Sequence, residues 1–511
     1  MPKAPAGQFD ADAAITGEHD ALRLTDLADG TLDALRSAGA YLSDLATPSI
    51  RLGVTGLARA GKTVFITALI RNLTVGGRLP FFDAYAEGRI VRAYLQPQPD
   101  DDVPRFDYEA HLSALMDDPP RWPESTRRIS ELRVTVEYRP TSLIKRSMTT
   151  GRLHIDIVDY PGEWLLDLAL LDQSYVEWSR EAVALASAPN RLAVSEEWRS
   201  YLAKLDPAAP QDEQVALEAA DVFTRFLAAA REVEPALSTL GPGRFLLPGD
   251  LAGSPLLTFV PLEMPEGFSP PRNSLAAMME RRFESYKSHV VKPFFRDHFS
   301  RLDRQIVLVD VLAALNAGRD AVEDLSRALE SSLRAFRPGA RTWLASILPR
   351  RIDRVLFAAS KADHLPSASH DRLEAVLRLM TEQAAERAKF AGATVGVIAL
   401  AALRATREVE AQQDGERLAC IRGVPMPGEQ VGDKRFDGLT EVALFPGDLP
   451  VDPKALMRPG GEDLTGRVRF VRFRPPRLGH GVRNETQVWS HVWPHVRLDR
   501  ALQFLIGDRL E

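Results

Sequence analysis

The chain of 511 residues has a single cysteine, Cys420, so an intramolecular disulfide is impossible and a multi-cysteine zinc site is excluded. It also lacks a long apolar run. The longest uncharged stretch, between Lys389 and Arg404, holds about 14 residues, short of the roughly 18 that span a bilayer. Basic charge is not in excess: 64 Lys and Arg against 70 Asp and Glu leave a net charge of −6. That excludes binding through a global basic field, so no nucleic-acid partner is expected; a local basic patch stays compatible with it. No internal repeat of fixed period is present. The opening residues, MPKAPAGQFDADAAITGEHD, are acidic and without a continuous apolar stretch, unlike a secretory signal. These absences predict a soluble protein of a reducing compartment, with membrane contact limited to a peripheral or partner-mediated one.

Hydrophobic residues make up 45% and charged residues 26%, a globular balance in a length that admits one large domain or about two to three ordinary ones. Residues 1–20 are polar, and Leu32, Leu35, Leu42 and Leu45 form one stripe of a helix over 31–45. Ile50, Leu52 and Val54 then alternate with Arg51 and Gly53 as in a strand. A glycine-rich turn follows, and Val64, Ile66, Ala68, Leu69 and Leu73 give an apolar helix. Residues 78–125, rich in Pro, Asp and Gly, read as a long loop with short helical pieces. Strands over Glu131–Tyr138 and Leu153–Asp159 fit an antiparallel pair with a long connection. From 165 to 303 the pattern is helical and too long for a simple crossover, so it reads as an insertion. Three apolar strands, Gln305–Val311, Arg354–Ser360 and Thr394–Leu400, alternate with helices over 320–336 and about 370–389. That alternation predicts a mostly parallel sheet covered on both faces. The tail from 405 is rich in Gly, Pro and Arg and ends in a helix at LDRALQFLIGD.

Gly56-Leu57-Ala58-Arg59-Ala60-Gly61-Lys62-Thr63 matches G-x-x-x-x-G-K-S/T between the first strand and the first helix. Glycines let the backbone wrap a polyphosphate. The amides of Ala58, Arg59, Ala60, Gly61, Lys62, Thr63 and Val64 then point at the anion. Lys62 is placed to bridge the β- and γ-phosphates and Thr63 to offer a hydroxyl to Mg²⁺. Asp159-Tyr160-Pro161-Gly162 follows a strand as D-x-x-G. Asp159 would hold Mg²⁺ through water, and the Gly162 N–H would meet the γ-phosphate. Ser360-Lys361-Ala362-Asp363, after another strand, resembles the guanine tetrapeptide Asn/Thr-Lys-x-Asp of GTPases, with Ser360 as the departure. An Asp363 carboxylate accepts from guanine N1–H and the exocyclic amine, a donor pair adenine lacks. The Lys361 stem can lie over the base. In Ala401-Ala402-Leu403 the backbone of Ala402 stands where GTPases meet guanine O6, although Ala401 replaces their usual Ser. An ordinary strand-to-helix turn, a D-x-P-G turn and a helix cap are the plain alternatives for the three motifs.

In this order the pieces resemble a Ras-like G domain. The resemblance implies an α/β fold: a Ras-like P-loop NTPase core, mostly parallel with one antiparallel strand pair, carrying a large helical insertion and a C-terminal extension. The expected parts are an arm and helix at 1–48, core halves at 49–164 and 304–404, the insertion at 165–303 and the extension at 405–511. GLARAGKTVFITALI, DYPGEWLLDL, RQIVLVDVLAALNAG, SKADH, GRFLLPGDLAG and PHVRLDRALQFLIGD are similar to the bacterial YcjX-like P-loop NTPase family, from about Arg51 to the end. That likeness implies guanine-nucleotide binding, with GTP and GDP as ligands, and an association with bacterial stress responses. It also implies an inner-membrane protein as a candidate partner.

Glu163 stands directly after D-x-x-G, where many small GTPases carry Gln. A carboxylate beside a polyanion is repelled, so Glu163 acts through water, points away or makes turnover slow. Arg59, inside the loop, stands where guanylate-binding proteins of the dynamin-like class also carry Arg; that resemblance implies an arginine finger in cis that closes when a partner or a second copy seals the site, which makes nucleotide-dependent self-association part of the expectation. A solvated loop arginine is the alternative. Thr126 or Ser125 is placed as the switch hydroxyl for Mg²⁺. The leading expectation is a slow, Mg²⁺-dependent GTPase, a switch or scaffold in the cytoplasm or at the inner face of its membrane. Lys62, Arg59, Gly162 and Glu163 are its candidate catalytic groups. A P-loop ATPase or small-molecule kinase, and a nucleotide-gated interaction protein without turnover, stay open.

Overall fold

Strand β1 (Ser49–Gly56) is the middle of a seven-stranded sheet in the computed structural model. The structure describes residues 47–57, 59–141, 151–233, 237–332, 352–413, 415–456, 464, 467–478 and 492–511. The arm and helix expected within 1–46, the loop residue Ala58, and Leu333 and Phe336 of an expected helix lie outside the described residues.

The sheet runs β2 (Ile90–Gln96), β3 (Ser130–Tyr138), β4 (Arg152–Asp159), β1, β5 (Arg304–Val309), β6 (Arg354–Ala359), β7 (Thr394–Ala399). From β4 to β7 neighbours are parallel, and β3 is antiparallel to β4 as expected. Helices α1 (Lys62–Thr74) and α2 (Tyr108–Met116) lie between β1 and β3 in the chain; α3 (Tyr175–Ala186), α4 (Glu213–Glu232) and α5 (Leu275–Tyr286) lie between β4 and β5. Then come α6 (Val311–Ala317), α7 (Arg319–Ser332), α8 (His370–Met380) and α9 (Glu382–Phe390), and α10 (Leu498–Ile506) near the end.

Strand alternation sorts the core. Ile306 and Leu308 of β5 join Phe65, Ile66 and Leu69 of α1 and Leu502 and Leu505 of α10 on one face. Val307 and Val309 join Leu312, Leu325 and Leu329 of α6 and α7 on the other. A strand with an apolar layer on each face has no polar side to show, which is why β5 and β6 read as continuous apolar runs. The helices between β4 and β5 share a third, aromatic core in which Trp178 stacks on Phe283 with ring centroids 5.2 Å apart. Asp212 starts α4 by accepting from the Gln214 and Val215 amides.

Two stretches differ from expectation. The loop expected over 78–125 contains β2, which pairs antiparallel with β3 and extends the sheet. As an edge strand it buries only Ala93; its cross-strand pair Arg92–Glu137, at 2.7 Å, carries no hydrophobic signature. The tail from 405 holds an antiparallel three-stranded sheet, β8 (Arg407–Gln413), β9 (Glu416–Gly423) and β10 (Val442–Leu444), in the order β10-β9-β8. Its core is small, with Ile421, Phe436, Val471 and Phe473 buried together.

Arg304, at the start of β5, fixes the end of the chain to the sheet. Its buried guanidinium donates to Asp353 at 3.0 Å and to Asp508 at 2.7 Å, and also to the Leu505 carbonyl. Arg304→Ala is expected to destabilise the fold by about 2 kcal/mol through the lost charge-assisted bonds. An unchanged urea-unfolding midpoint would show that apolar packing alone holds α10.

Candidate functional site

Backbone pairing sets the site before any side chain acts. Val54 lies opposite Asp159 and Gly56 opposite Leu308, while Val309 lies opposite Ala359 and Ala359 opposite Ala399. The parallel strands therefore end flush at one edge of the sheet. Loops leaving that edge line a cleft of ≈ 750 Å³, where parallel sheets commonly take ligands.

The phosphate-loop candidate forms one end. A Cβ on Gly56 would come 2.4 Å from the Leu308 carbonyl oxygen, so the close approach of β1 to β5 requires glycine there. Gly61 caps α1 in the left-handed region, φ 87°, which glycine enters without penalty. Arg59 and Lys361, with φ 61° and 59°, take the same region as non-glycine residues, so both loops hold strained backbone at the cleft. Lys62 is buried and its Nζ donates to the Gly56 carbonyl at 2.9 Å. Thr63 Oγ1 donates to the Glu124 carbonyl at 3.3 Å. Ala60, Gly61, Lys62, Thr63, Val64, Ser125 and Thr126 all line the cleft.

Asp159 ends β4 and is buried. Desolvation pushes its pKa up to about 6, against the pull of the Lys62 charge and of the Thr126 hydroxyl, which donates to Oδ2 at 2.7 Å. Its Oδ1 is buried with no hydrogen-bond partner among the described residues. An orphaned carboxylate oxygen beside the Thr126 hydroxyl, with the Thr63 hydroxyl on the wall of the same cleft, is a hard-oxygen donor set, which fits Mg²⁺. Among the described residues no three His, Cys, Asp or Glu side chains cluster as a metal cage, so such an ion would need ligand oxygens and water as well.

Gly162 packs straight onto the loop: a Cβ there would fall 1.9 Å from the Gly56 carbonyl oxygen. Glu163, next in the chain, is buried at the cleft, with Oε1 3.1 Å from Nη2 of Arg231 at the end of α4. Arg59 reaches the neighbouring Glu232 at 3.1 Å.

At the other end of the cleft, the Ser360 amide and hydroxyl both meet the Val309 carbonyl, at 2.9 and 3.3 Å, so Ser360 braces β5 and not the phosphate loop. Lys361 pairs with Asp310. Asp363 is buried, and its Oδ2 accepts from the Ala405 and Thr406 amides at 2.7 and 3.2 Å. Ala402 lines the cleft nearby. The C-terminal residues supply a further wall: Phe473 lies edge-on to His364 at 5.1 Å, and its carbonyl accepts from Trp122 Nε1 at 2.7 Å.

The structure thus gathers Gly56, Arg59, Ala60, Gly61, Lys62, Thr63, Val64, Thr126, Asp159, Gly162, Glu163, Lys361, Asp363 and Ala402 around one cleft. Sequence reasoning missed Arg231, Trp122, Asp310 and Phe473. Asp310 alone had a local signal, because it follows the apolar run QIVLV as Asp159 follows LHIDIV.

This sheet order and loop arrangement define a Ras-like P-loop α/β core. The profile of the YcjX-like family, DUF463, matches residues 50–510. "Ras-like GTPase YcjX" of Escherichia coli (strain K12) is 37% identical over 473 residues, covering 90% of this chain and 96% of its own. The protein of the same name from Shewanella oneidensis is 36% identical over 487 residues, covering 90% and 95%. The chain belongs to the YcjX-like family.

Two predictions concern the ligand-free protein. Gly162→Ala is expected to destabilise it by about 1–3 kcal/mol, since a methyl cannot fit against the Gly56 carbonyl; an unchanged unfolding free energy would mean the loop yields freely. Asp159 titrates near 6 when folded and near about 3.9 when unfolded. A raised folded pKa favours folding at low pH, and that contribution is lost as pH rises through 6. Asp159→Asn should therefore stabilise the protein more at pH 7.5 than at pH 5, by about 1.4 kcal/mol for one unit of residual titration. Equal effects at the two pH values in urea unfolding would refute the burial argument.

Proposed function

We propose that the chain is a Mg²⁺-dependent guanine-nucleotide-binding protein that hydrolyses GTP slowly and works as a stress-related switch or scaffold. The observation that carries this reading is that Lys62 and Asp363, far apart in sequence, line the same cleft. Both relatives bear the name Ras-like GTPase.

In this reading the amides from Ala58 to Val64 cradle the phosphates, Lys62 spans the β and γ groups, and the Gly162 N–H meets the γ-phosphate. Thr63, Thr126 and Asp159 hold Mg²⁺, which when bound neutralises phosphate charge. The bonds from Ala405 and Thr406 fix the plane of the Asp363 carboxylate. Its remaining acceptor sites take the guanine N1–H and amine, while the Lys361 stem covers the base and the Ala402 amide meets O6. Glu163 is neutralised by Arg231, so it does not confront the γ-phosphate as a bare anion. Arg59 is a loop cation that must leave Glu232 to act, and closure by a second copy is the event that would release it.

The reading divides the chain into core halves at 49–164 and 304–404, the helical insertion at 165–303 and the extension at 405–511. It includes a cytoplasmic protein that reaches the inner face of the membrane through a membrane-protein partner. No helix among the described residues is long and apolar enough to cross a membrane.

Calorimetric titration of GDP, GTP and ATP, with and without Mg²⁺, tests it. The protein is expected to bind GDP and GTP and to neglect ATP. Lys62→Ala should weaken GDP and GTP about 100-fold, as loss of a charge-assisted contact does. Asp363→Asn should narrow the preference for GTP over ATP by at least about tenfold. Preference for ATP would favour a P-loop ATPase or kinase, and GTP bound without single-turnover phosphate release would favour a non-hydrolysing interaction protein.

A further inference from the structure

The last turn of α4 brings one cation into the cleft, Arg231, and one acid, Glu232, to the Arg59 side chain at its edge. The body of the helix is anchored by Ala216, Ala219, Val222, Phe223, Phe226 and Leu227, all buried in the aromatic core between β4 and β5. Its end is therefore held in place by packing and not by the contacts it makes. Arg231 meets Glu163, the residue after the D-x-x-G glycine, and Glu232 meets Arg59 of the phosphate loop, each at 3.1 Å.

The two pairs differ in surroundings. Arg59 and Glu232 expose 40% and 73% of their side chains, so water screens them and the pair is weak. Arg231 and Glu163 expose 22% and 6%, where charge acts at lower dielectric and counts for more. The Arg231–Glu163 contact is an ion pair without hydrogen-bond alignment: Glu163 Oε1 is buried and has no hydrogen-bond donor among the described residues. A guanidinium has five N–H groups in a fixed fork that suits phosphate oxygens. Arg231 lines the same cleft as Lys62 and Thr63. A cation held beside a single carboxylate, next to a loop built for polyphosphate, has donors for a second anion.

Resting on the GTPase reading above, we propose that Arg231, carried by this chain's own helical segment, is a catalytic arginine in addition to Arg59, that it meets the γ-phosphate during hydrolysis, and that Glu163 holds it at the cleft. In the step itself, the water oxygen forms a bond to the γ-phosphorus as the bond from that phosphorus to the β–γ bridging oxygen breaks. The bridging oxygen leaves with the electron pair on GDP. One water proton stays on the inorganic phosphate and the other passes to solvent. Arg231 is unchanged; it offsets the negative charge that shifts towards the bridging and γ oxygens. Glu163 keeps its contact with the guanidinium and so stays neutralised, while the remaining N–H groups of Arg231 face the γ oxygens.

The test uses the full chain and two readouts: single-turnover GTP hydrolysis, and the tightening of GDP binding by aluminium fluoride with Mg²⁺, which mimics the transferring phosphoryl group. Arg231→Ala should slow hydrolysis about 100-fold or more and abolish the fluoride-dependent tightening. GDP affinity, which also reports folding, should stay within about threefold because GDP lacks the γ-phosphate. Arg231→Lys keeps charge without the fork and should recover only a minor part of either signal. Wild-type rates and fluoride response in Arg231→Ala would overturn the proposal, as would a loss confined to Arg59→Ala. A wild-type protein that binds GTP without hydrolysing it overturns the proposal and leaves nucleotide binding standing. One that binds no guanine nucleotide removes the reading beneath it.

Discussion

The parallel pairing of β1 with β4 and β5 is the constraint on which the rest of the molecule depends. Ladder hydrogen bonds place Val54 beside Asp159 and Gly56 beside Leu308, so distant segments leave the sheet at the same edge. A slip of one residue would turn Ile50, Leu52 and Val54 out of their shared core and move every loop with them. The fit is tight in the backbone itself. Gly56 admits no Cβ against Leu308, and Gly162 admits none against Gly56. Three segments thus meet main chain to main chain, and side-chain chemistry is built on that contact.

Around the cleft, cations come matched with acids. Lys62 lies near enough to Asp159 to offset part of the desolvation that raises its pKa, Lys361 pairs with Asp310, Arg231 with Glu163 and Arg59 with Glu232. Charges that are taken out of water need partners, and these pairs supply them without a ligand. A polyphosphate entering the cleft would exchange one set of partners for another. In the proposed reading, a chain of net charge −6 takes an anion at this cleft by such an exchange, because each cation there is already held beside an acid.

The segments outside the central sheet complete the cleft. The helices between β4 and β5 contribute Arg231 to its lining and Glu232 as the partner of Arg59, and the C-terminal residues contribute Phe473, whose carbonyl receives the Trp122 indole and whose ring packs on His364 beside Asp363. The end of the chain is tied back through Arg304 to the start of β5.

Local spacing alone made much of the protein legible. The strand, glycine turn and helix at Ile50–Leu73, the D-x-x-G after LHIDIV, and the Ser-Lys-Ala-Asp after RVLFAAS are each defined within a few residues, and their chain order predicted a Ras-like α/β core. Strand β2 escaped because an edge strand with one buried residue carries no alternation. The strands after 405 escaped because a core as small as that of Ile421, Phe436, Val471 and Phe473 leaves little periodicity among Gly, Pro and Arg. Arg231 and Glu232 had no signature at all: charged residues closing an amphipathic helix look like any solvated face. Only packing of that helix on the aromatic core decided that its end faces the cleft, because proximity between residues far apart in sequence is a property of the folded chain and not of any stretch of it.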